Sequence, residues 1–300
     1  MSLAAVGALA VGLALDTAFE EFPQRIHPVA WFGRAVTPLD RSWAYPRLVG
    51  ATIALGLPIG AAAVAGFVAA LAVAVNPIVG GAVAGLVVFA TTSLARLLSV
   101  AEDVIDLTAT DPAAARTSVR ALVGRKTDDL TPVQLRSAAV ESAAENLADG
   151  LVAPLLAFAL GARVSLAVGV AGAAWVKAVN TLDSMLGYHS KPVGGASARL
   201  DDLVMWLPAR TSAVLLAAAG RSPRALARAR EWSHAPTSPN SGWPMATLAA
   251  ALDIRLKKRG AYVLNPDADL PSVERAREGV RVVGLAGLGA FVLCGVIAWS

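Results

Sequence analysis

The sequence is poor in the residues that build disulfides and zinc sites. It contains one cysteine, Cys294, and three histidines in 300 residues. A single cysteine cannot form an internal disulfide, and the histidines, His27, His189 and His234, lie far apart in the chain. A secreted domain held by disulfides is therefore excluded, and a zinc site made of His and Cys is not expected.

Charged residues are also scarce, at 16% of the chain against 56% hydrophobic residues, and the mean hydropathy is +0.58. Soluble domains carry about 25% charged residues, so this composition is typical of an integral membrane protein. Apolar runs extend from end to end, and we expect one membrane-embedded domain, residues 1–300. Basic residues concentrate in segments 20–47 and 220–279, which predicts that these segments face the cytoplasm.

The apolar runs predict an all-α, polytopic protein with several transmembrane helices, re-entrant or broken helices, and cytoplasmic helical loops. They occupy residues 1–19, 48–75, 78–98, 150–175, 203–219 and 280–299. A helix needs about 20 residues to cross the membrane. Residues 161–163 divide the fourth run and Pro208 interrupts the fifth, so we expect both runs to be broken or re-entrant. No Lys or Arg precedes Arg25, so the first run is expected to be a retained span rather than a secretory signal.

Three carboxylates, Glu141, Glu145 and Asp149, follow one another at intervals of four residues in ESAAENLADG. The preceding TPVQ at residues 131–134 predicts a helix start, with Thr as the cap, Pro at the first position and Gln three residues after the cap. A helix through all three acids would place them on one face. Either this stripe is a solvated acidic face or, with Asn146 beside it, it supplies oxygen ligands to a hard cation such as Mg²⁺.

A second polar group lies in WVKAVNTLDSMLGY, residues 175–188. On a helix, Lys177, Asn180, Asp183 and Ser184 fall on one side. Such groups are costly to leave unpaired in a hydrophobic protein. Either Lys177 and Asp183 form an internal pair that only locks helices together, or these residues bind substrate or phosphate.

Two further segments are weaker candidates. In ASARLDDL, Arg199 and Asp202 either pair with each other or bind an anionic substrate and complete a metal shell. The loop TSPNSGWP, residues 237–244, is rich in turn formers and is either a surface turn or a rigid loop that presents Ser238 and Asn240 to a ligand. In the first polar segment, His27 is either solvated or a general base.

The chain contains neither of the nucleotide-binding motifs GxxxxGK[ST] and GxGxxG, so any ATP is bound without a P-loop. The basic tract KKRG, residues 257–260, is too short and isolated to indicate a nucleic-acid partner.

Four motifs together resemble one family. In this order and spacing, ESAAENLADG with APL, NTLDSMLGY, SARLDD with LPAR, and SPNSGWP resemble the adenosylcobinamide-phosphate synthases, the CobD/CbiB-type membrane enzymes of cobalamin biosynthesis. The resemblance extends from HPVAWFG at His27 to the last apolar run. Each motif alone is weak, and the four in sequence order are specific.

The resemblance implies an amide ligation at the bacterial inner membrane, with the active face on the cytoplasmic side. The family joins the carboxylate of (adenosyl)cobyric acid to the amine of (R)-1-aminopropan-2-yl phosphate, and the reaction requires ATP and Mg²⁺. The implied partners are thus a corrinoid, an amino-alcohol phosphate and membrane lipid. Because carboxylate and amine do not condense spontaneously at neutral pH, an acyl phosphate is the expected activated intermediate.

The resemblance also implies roles for the polar residues. Glu141, Glu145 and Asp149 are expected to hold Mg²⁺ and the ATP phosphates. The residues expected at the catalytic centre are Asp183, Asn180, Asp202 and His27. Those expected to bind ATP or substrate are Asn146, Lys177, Arg199, Ser238 and Asn240.

Two other functions remain open. Intramembrane carboxylates, broken helices and a buried lysine are also typical of a transporter or ion pathway. A non-catalytic membrane regulator of the same fold is the second alternative.

Overall fold

The computed structural model of the protein describes residues 2–124, 127–188 and 191–300. Within these residues the chain is helical apart from one short hairpin, so the prediction of an all-α fold is confirmed. The helices are α1 (Ser2–Phe19), α2 (Pro28–Val36), α3 (Pro46–Val75), α4 (Pro77–Thr91), α5 (Leu94–Thr110), α6 (Pro112–Ser118), α7 (Pro132–Leu147), α8 (Ala153–Ala162), α9 (Leu166–Leu186), α10 (Gly195–Val204), α11 (Trp206–Ala219), α12 (Ala225–Ala229), α13 (Gly242–Leu252) and α14 (Val273–Trp299). The strands are β1 (Leu256–Lys258) and β2 (Tyr262–Leu264).

Four helical segments in the described parts of the chain are long and apolar enough to cross a membrane. They are Pro46–Val75, Pro77–Thr110, Pro132–Ala162 and Val273–Trp299. Pro192–Val204 and Trp206–Ala219 meet the same criterion only when taken together as a broken span. α9 is not among these segments, because its polar half lowers its hydropathy. The multi-pass prediction is confirmed, and the chain is a multi-pass membrane protein.

The breaks between helices follow local chemistry. Asn76 ends α3 and caps α4, where its side-chain oxygen accepts a hydrogen bond from the backbone N–H of Ile78 at 2.7 Å. The predicted capping box at Thr131 and Gln134 is present at the start of α7. The predicted break in the fourth apolar run is also present, because α8 ends at Ala162 and α9 begins at Leu166.

The third apolar run, residues 78–98, lies within the candidate span Pro77–Thr110. Its helix is interrupted, because α4 ends at Thr91 and α5 begins at Leu94. The side-chain hydroxyls of Thr91 and Thr92 donate to carbonyls of the preceding turn, to Val87 at 2.8 Å and Val88 at 2.8 Å respectively. Such bonds give the backbone an alternative to the regular helical ladder and favour a helix end at this point.

The chain divides into two compact units, each discontinuous in sequence. The first comprises Met1–Ser93, Asp149–Met205 and Phe291–Ser300, and the second comprises Leu94–Ala148 and Trp206–Ala290. The expectation of one membrane-embedded domain stays a prediction.

In the first unit, α9 packs on α3 and α8. One core cluster joins Val36 of α2, Ile53 and Ala54 of α3, Leu182 and Leu186 of α9, and Val193. α8 and α9 approach so closely that a Cβ added at Gly161 would lie 2.7 Å from the carbonyl oxygen of Val168. The small residues of this helical hairpin therefore let α8 and the first half of α9 pack closely.

In the second unit, arginines connect helices that are distant in sequence. Arg136 of α7 donates to the hydroxyl of Thr108 on α5 at 3.1 Å and to the carbonyl of Pro271 at 2.9 Å. Arg277 of α14 forms an ion pair with Asp106 of α5 at 2.7 Å. The bonds of Arg136 fix α7, which carries two of the three acids in the predicted stripe.

The hairpin β1–β2 is antiparallel and pairs Leu256 with Leu264, both fully buried. Its turn contains Gly260 at φ 75°, a conformation that suits glycine. The backbone N–H of Lys257 donates to the hydroxyl of Ser137 at 3.0 Å, which attaches the hairpin to α7.

α13 ends at Leu252, and its C-cap residue, Asp253, adopts the left-handed conformation at φ 50° and ψ 52°. Asn265 and Arg228 each donate a hydrogen bond to its carboxylate at 3.3 Å. These two bonds hold the pKa of Asp253 below its usual value.

Candidate functional site

The predicted site residues are distributed over both units, and Lys177 belongs to the first. It lies in the middle of α9 and lines an apolar cavity. Within the described residues its ammonium makes no hydrogen bond or ion pair, and the carboxylates of Asp149 and Glu21 act on it electrostatically from beyond ion-pair distance. The alternative in which Lys177 and Asp183 form a pair is therefore wrong.

Asp183 and Asp202 form an acidic pair in the same unit. α10, which carries Asp202, packs against α9, and one carboxylate oxygen of Asp183 is buried with no hydrogen-bond partner in the described chain. Burial raises the pKa of Asp183, and the nearby charge of Asp202 raises it further. Interacting carboxylates titrate as a pair, and such a pair holds a proton to higher pH than a solvated carboxylate does.

The carboxylate of Asp183 also packs tightly against Gly187, where an added Cβ would overlap it. Position 187 therefore has to be glycine if the Asp183 side chain is to keep this position. Asn180, one turn earlier, is half-buried and its carbonyl accepts a hydrogen bond from the hydroxyl of Ser184 at 2.9 Å.

Arg199 lies on α10, three residues before Asp202, and is exposed. It forms no ion pair with any residue that the structure describes, so the alternative of an Arg199–Asp202 pair is wrong. Since residues three apart share a helical face, Arg199 presents a positive charge on the same side of α10 as the Asp202 carboxylate.

His27 is buried rather than solvated. It caps α2, where its Nδ1 accepts a hydrogen bond from the backbone N–H of Val29 at 3.2 Å, and its Nε2 lies 3.3 Å from a carboxylate oxygen of Glu21. The ring of Phe22 packs edge-on against the imidazole. With Nδ1 accepting, Nε2 carries the ring proton and donates it toward Glu21. Its role as a general base stays a prediction.

The acidic stripe is less regular than predicted. α7 ends at Leu147, and the following residues, Ala148–Val152, form a π-helical turn that includes Asp149. Because a π-turn interrupts the α-helical period, the three acids do not continue on one straight stripe; such turns are frequent at functional sites. Glu141 is buried, and the side-chain amide of Asn146 donates back to the carbonyl of Ser142 at 3.0 Å.

No group of three or more His, Cys, Asp or Glu side chains that could hold a metal ion occurs in the described ranges 2–124, 127–188 and 191–300. Within these ranges, a metal ion would therefore need ligands besides the protein's own side chains. Oxygen donors such as Glu141 and Glu145 fit Mg²⁺ in the form in which this ion usually binds, with one or two carboxylates, phosphate oxygens and waters.

In the second unit the loop at residues 237–244 is fixed by Arg210 of α11. The guanidinium donates to the side-chain oxygen of Asn240 and to the carbonyl of Pro239, the latter at 3.3 Å. It also stacks on Trp206 and Trp243, with 4.9 Å and 5.3 Å between the guanidinium carbon and the ring centroids. Asn240 is buried, and the hydroxyl of Ser238 accepts a hydrogen bond from the backbone N–H of Asn240 at 3.3 Å.

Two relationships were not predicted. Arg210 of the LPAR motif holds the SPNSGWP loop, a role that the motif alone does not predict. Lys191 forms an ion pair with Asp40 at 2.6 Å, although the two residues are 151 positions apart in the chain. Its ammonium also donates a hydrogen bond to the carbonyl of Met185 at 3.0 Å. Neither pairing has a helical or strand spacing that a sequence pattern could reveal.

Comparisons with known proteins agree with the motifs. A family model described as "CobD/Cbib protein" matches residues 9–282. The chain is 34% identical to "Probable cobalamin biosynthesis protein CobD" of Methanothrix thermoacetophila, over 96% of this chain and 95% of the relative. It is 34% identical to "Cobalamin biosynthesis protein CobD" of Rhodobacter capsulatus, over 100% of this chain and 99% of the relative. It is 36% identical to the protein of that name from Mycobacterium tuberculosis, over 98% of this chain and 96% of the relative. No solved structure matches the chain.

Proposed function

Because the chain belongs to the CobD/Cbib protein family, we propose that it is the ligase that joins a corrinoid carboxylate to an amino-alcohol phosphate. Its relatives are named as cobalamin biosynthesis proteins, and this chain takes part in the same pathway. The substrates are (adenosyl)cobyric acid and (R)-1-aminopropan-2-yl phosphate, and the product is adenosylcobinamide phosphate. ATP supplies the energy and Mg²⁺ accompanies it. The active face is on the cytoplasmic side of the bacterial inner membrane.

The observation that carries the proposal is the acidic pair Asp183–Asp202. Forming an amide from an ammonium group requires that a proton be removed from the nitrogen. A buried carboxylate whose pKa is raised by burial and by a second carboxylate has a basicity closer to neutral pH than a solvated one, which suits a general base. The tight contact of Asp183 with Gly187 would hold this base in place.

The proposed ligation proceeds in two steps. A carboxylate oxygen of the corrinoid attacks the terminal phosphorus of ATP, which forms an acyl phosphate and releases ADP. The amine then attacks the acyl carbon, the C–O bond to the phosphoryl group breaks, and inorganic phosphate leaves. The ammonium nitrogen loses two protons in all: Asp183 accepts one before the attack, and the departing phosphate takes up the other as the amide forms.

Arg199 suits the phosphate of the amino alcohol. It is exposed, is unpaired within the described chain and shares a face of α10 with Asp202. A phosphate held there would bring its amine toward the acidic pair. Lys177 is less suited to a small polar substrate, because the cavity that it lines is apolar.

The metal and nucleotide residues remain those that the resemblance implies. One or two of the carboxylates Glu141, Glu145 and Asp149 would supply oxygens to Mg²⁺, with phosphate oxygens and waters as the other ligands, and the ion would neutralise part of the charge on the ATP phosphates. Asn146, Asn180, Ser238 and Asn240 would contribute hydrogen bonds to nucleotide or substrate, and His27 would support the first polar loop.

The test is direct assay of the purified protein in detergent. Adenosylcobyric acid, aminopropanol phosphate, ATP and Mg²⁺ are supplied, and the corrinoid is followed by mass spectrometry with ATP-free and amine-free controls. We expect a corrinoid heavier by aminopropanol phosphate less one water, formed only in the complete mixture. A folded protein that neither binds ATP nor forms this product would overturn the proposal and favour transport or regulation.

A further inference from the structure

The first unit contains an apolar cavity of about 720 Å³ between α2, α3, α4 and α9. Its walls include Gly60, Ala61 and Ala65 of α3 and Ala90 of α4. Small side chains on facing helices leave the space open. Its volume lies within the range of about 300–1,000 Å³ that is usual for sites of small organic ligands.

The cavity opens at the outer surface of α3. Val64 and Val68, which line it, are 67% and 49% exposed, and Trp31 of α2 at its rim is 52% exposed. The span that contains α3 is only 11% buried inside the protein, so its exposed side faces the hydrocarbon of the bilayer. The cavity is thus a lateral cleft toward lipid. Its wall on α3 extends from Gly56 to Val68, a length of about 18 Å at 1.5 Å per residue.

One charged side chain, Lys177, lines the described walls of this cleft. The two hydroxyl groups there are already engaged with carbonyls of their own helices, Thr91 with Val87 at 2.8 Å and Thr181 with Lys177 at 2.7 Å. The Lys177 ammonium makes no ion pair in the described chain. Burial lowers the pKa of Lys177, and the nearby acids Asp149 and Glu21 act in the opposite direction and favour its charged form. Glu21 also lies 3.3 Å from His27.

We propose that this cleft binds one anionic phospholipid, with an acyl chain along α3 and the phosphate at the ammonium of Lys177. An apolar channel open to the bilayer suits a hydrocarbon chain, and a single cation between transmembrane helices suits an anionic headgroup. Phosphatidylcholine, which is zwitterionic, has the same acyl chain, but a choline cation lies beside its phosphate. The cleft therefore distinguishes lipids by headgroup charge. This inference does not depend on the ligase activity.

A second apolar cleft of the first unit supplies an internal control. It has a volume of about 440 Å³ and is lined by α1 and the end of α14, including Leu9, Leu13, Val292, Gly295 and Trp299. Its lining within the described chain carries no charged side chain. An acyl chain that enters this cleft would meet no cation, so binding there should not depend on headgroup charge.

The experiment is native mass spectrometry of the detergent-purified protein titrated with palmitoyl-oleoyl phosphatidylglycerol or with the matched phosphatidylcholine. We expect one phosphatidylglycerol to bind about fivefold more tightly than phosphatidylcholine, the factor expected for one basic group near an anionic headgroup. Lys177→Gln should remove this preference and Lys177→Arg should retain it. Ala61→Phe, which fills the cleft, should lose the preferred lipid altogether. Gly295→Leu in the second cleft should leave the preference intact.

Three results would overturn the proposal: equal binding of both lipids to the wild-type protein, a preference that persists in Lys177→Gln, or a preference lost in Gly295→Leu but retained in Ala61→Phe. A further arm adds inorganic phosphate or aminopropanol phosphate as competitor. If either displaces the bound phosphatidylglycerol at millimolar concentration, Lys177 binds soluble phosphate rather than a lipid. Thermal unfolding of every variant in the same detergent verifies that each is folded.

Discussion

The guanidinium of Arg210 donates a hydrogen bond to the side-chain oxygen of Asn240, which lies 30 residues further along the chain. The bond connects the LPAR motif on α11 with the SPNSGWP loop, two segments that carry the family resemblance. Trp206 and Trp243 contact the same guanidinium. The loop is therefore an anchored element of the second unit rather than an ordinary surface turn.

This anchor predicts a specific thermodynamic coupling. Arg210→Lys keeps the charge but removes the planar fork and its stacking, and we expect it to lower the free energy of unfolding by about 1 kcal/mol or more. Asn240→Ala should cost a similar amount, and the double variant should cost less than the sum of the two. Unfolding in one detergent, analysed as a double-mutant cycle, measures the coupling. Additive effects would mean that the bond contributes nothing.

A pair of neighbouring glycines tests how α10 is held against the end of α9. A Cβ added at Gly194 would overlap the carbonyl of Leu186, whereas one added at Gly195 would meet nothing within 4 Å. We expect Gly194→Ala to lower the free energy of unfolding by about 1–3 kcal/mol, because the backbone has to move. Gly195→Ala should change it by less than about 0.5 kcal/mol. Equal effects in thermal unfolding would show that this contact does not position α10.

The acidic pair predicts a shift in the pH profile. Asp183 acts as a base only when it is deprotonated, so the rate should rise with pH through its pKa, which burial and Asp202 raise. Asp202→Asn removes the like charge, so the pKa of Asp183 falls and the acidic limb of kcat should move to lower pH. Asp183→Asn should lower kcat by about 10²-fold or more, as for loss of a general base.

The matched control for the acidic pair is Asp267→Asn, at an exposed loop position. This variant should retain both the rate and the profile of the wild-type protein. An acidic limb that stays at the same pH in Asp202→Asn would remove Asp183 from the role of base.

Asp253 predicts a pH-dependent stability. Its pKa is lowered by hydrogen bonds from Asn265 and Arg228, so its stabilising effect is present above the usual pKa of an aspartate and is lost as the pH falls through the lowered value. Asp253→Asn tolerates the left-handed backbone but lacks the charge. The melting temperatures of the two proteins should therefore differ at neutral pH and converge in acid. A difference that stays constant down to the acidic end of the titration would contradict this explanation.

Local features of the fold could be predicted from the sequence because they depend on neighbouring residues. The cap at Asn76, the capping box at residues 131–134 and the break near Gly161 each follow from the chemistry of a few adjacent positions. The π-turn at Ala148–Val152 could not be predicted, because the residues around it are ordinary helix formers and packing decides its geometry. The break after Thr91 depends on two hydroxyl groups that occur in many uninterrupted helices.

The candidate site was predictable in part for the same reason. The motifs identified Asp183 and Asp202 as candidates, but sequence spacing suggested Lys177 as the partner of Asp183, and the structure excludes this pair. Lys177 and Asp183, six residues apart, lie at opposite edges of the polar side of α9, about 120° apart around the helix, which is too far to pair. The long-range pairs of Arg210 with Asn240 and of Lys191 with Asp40 leave no periodic pattern in the sequence, and only the folded chain brings them together.

The proposed ligation through an acyl phosphate is most directly tested by following ¹⁸O from the corrinoid carboxylate into the products. Adenosylcobyric acid labelled with ¹⁸O in both oxygens of the reacting carboxylate is incubated with the protein, ATP, Mg²⁺ and aminopropanol phosphate. The proposed chemistry predicts three products. The corrinoid amide keeps one ¹⁸O, the inorganic phosphate carries the other, and the nucleotide product is ADP. Absence of the amide would contradict the ligase function, and ¹⁸O found in AMP, or an amide formed with unlabelled phosphate, would contradict the acyl-phosphate route.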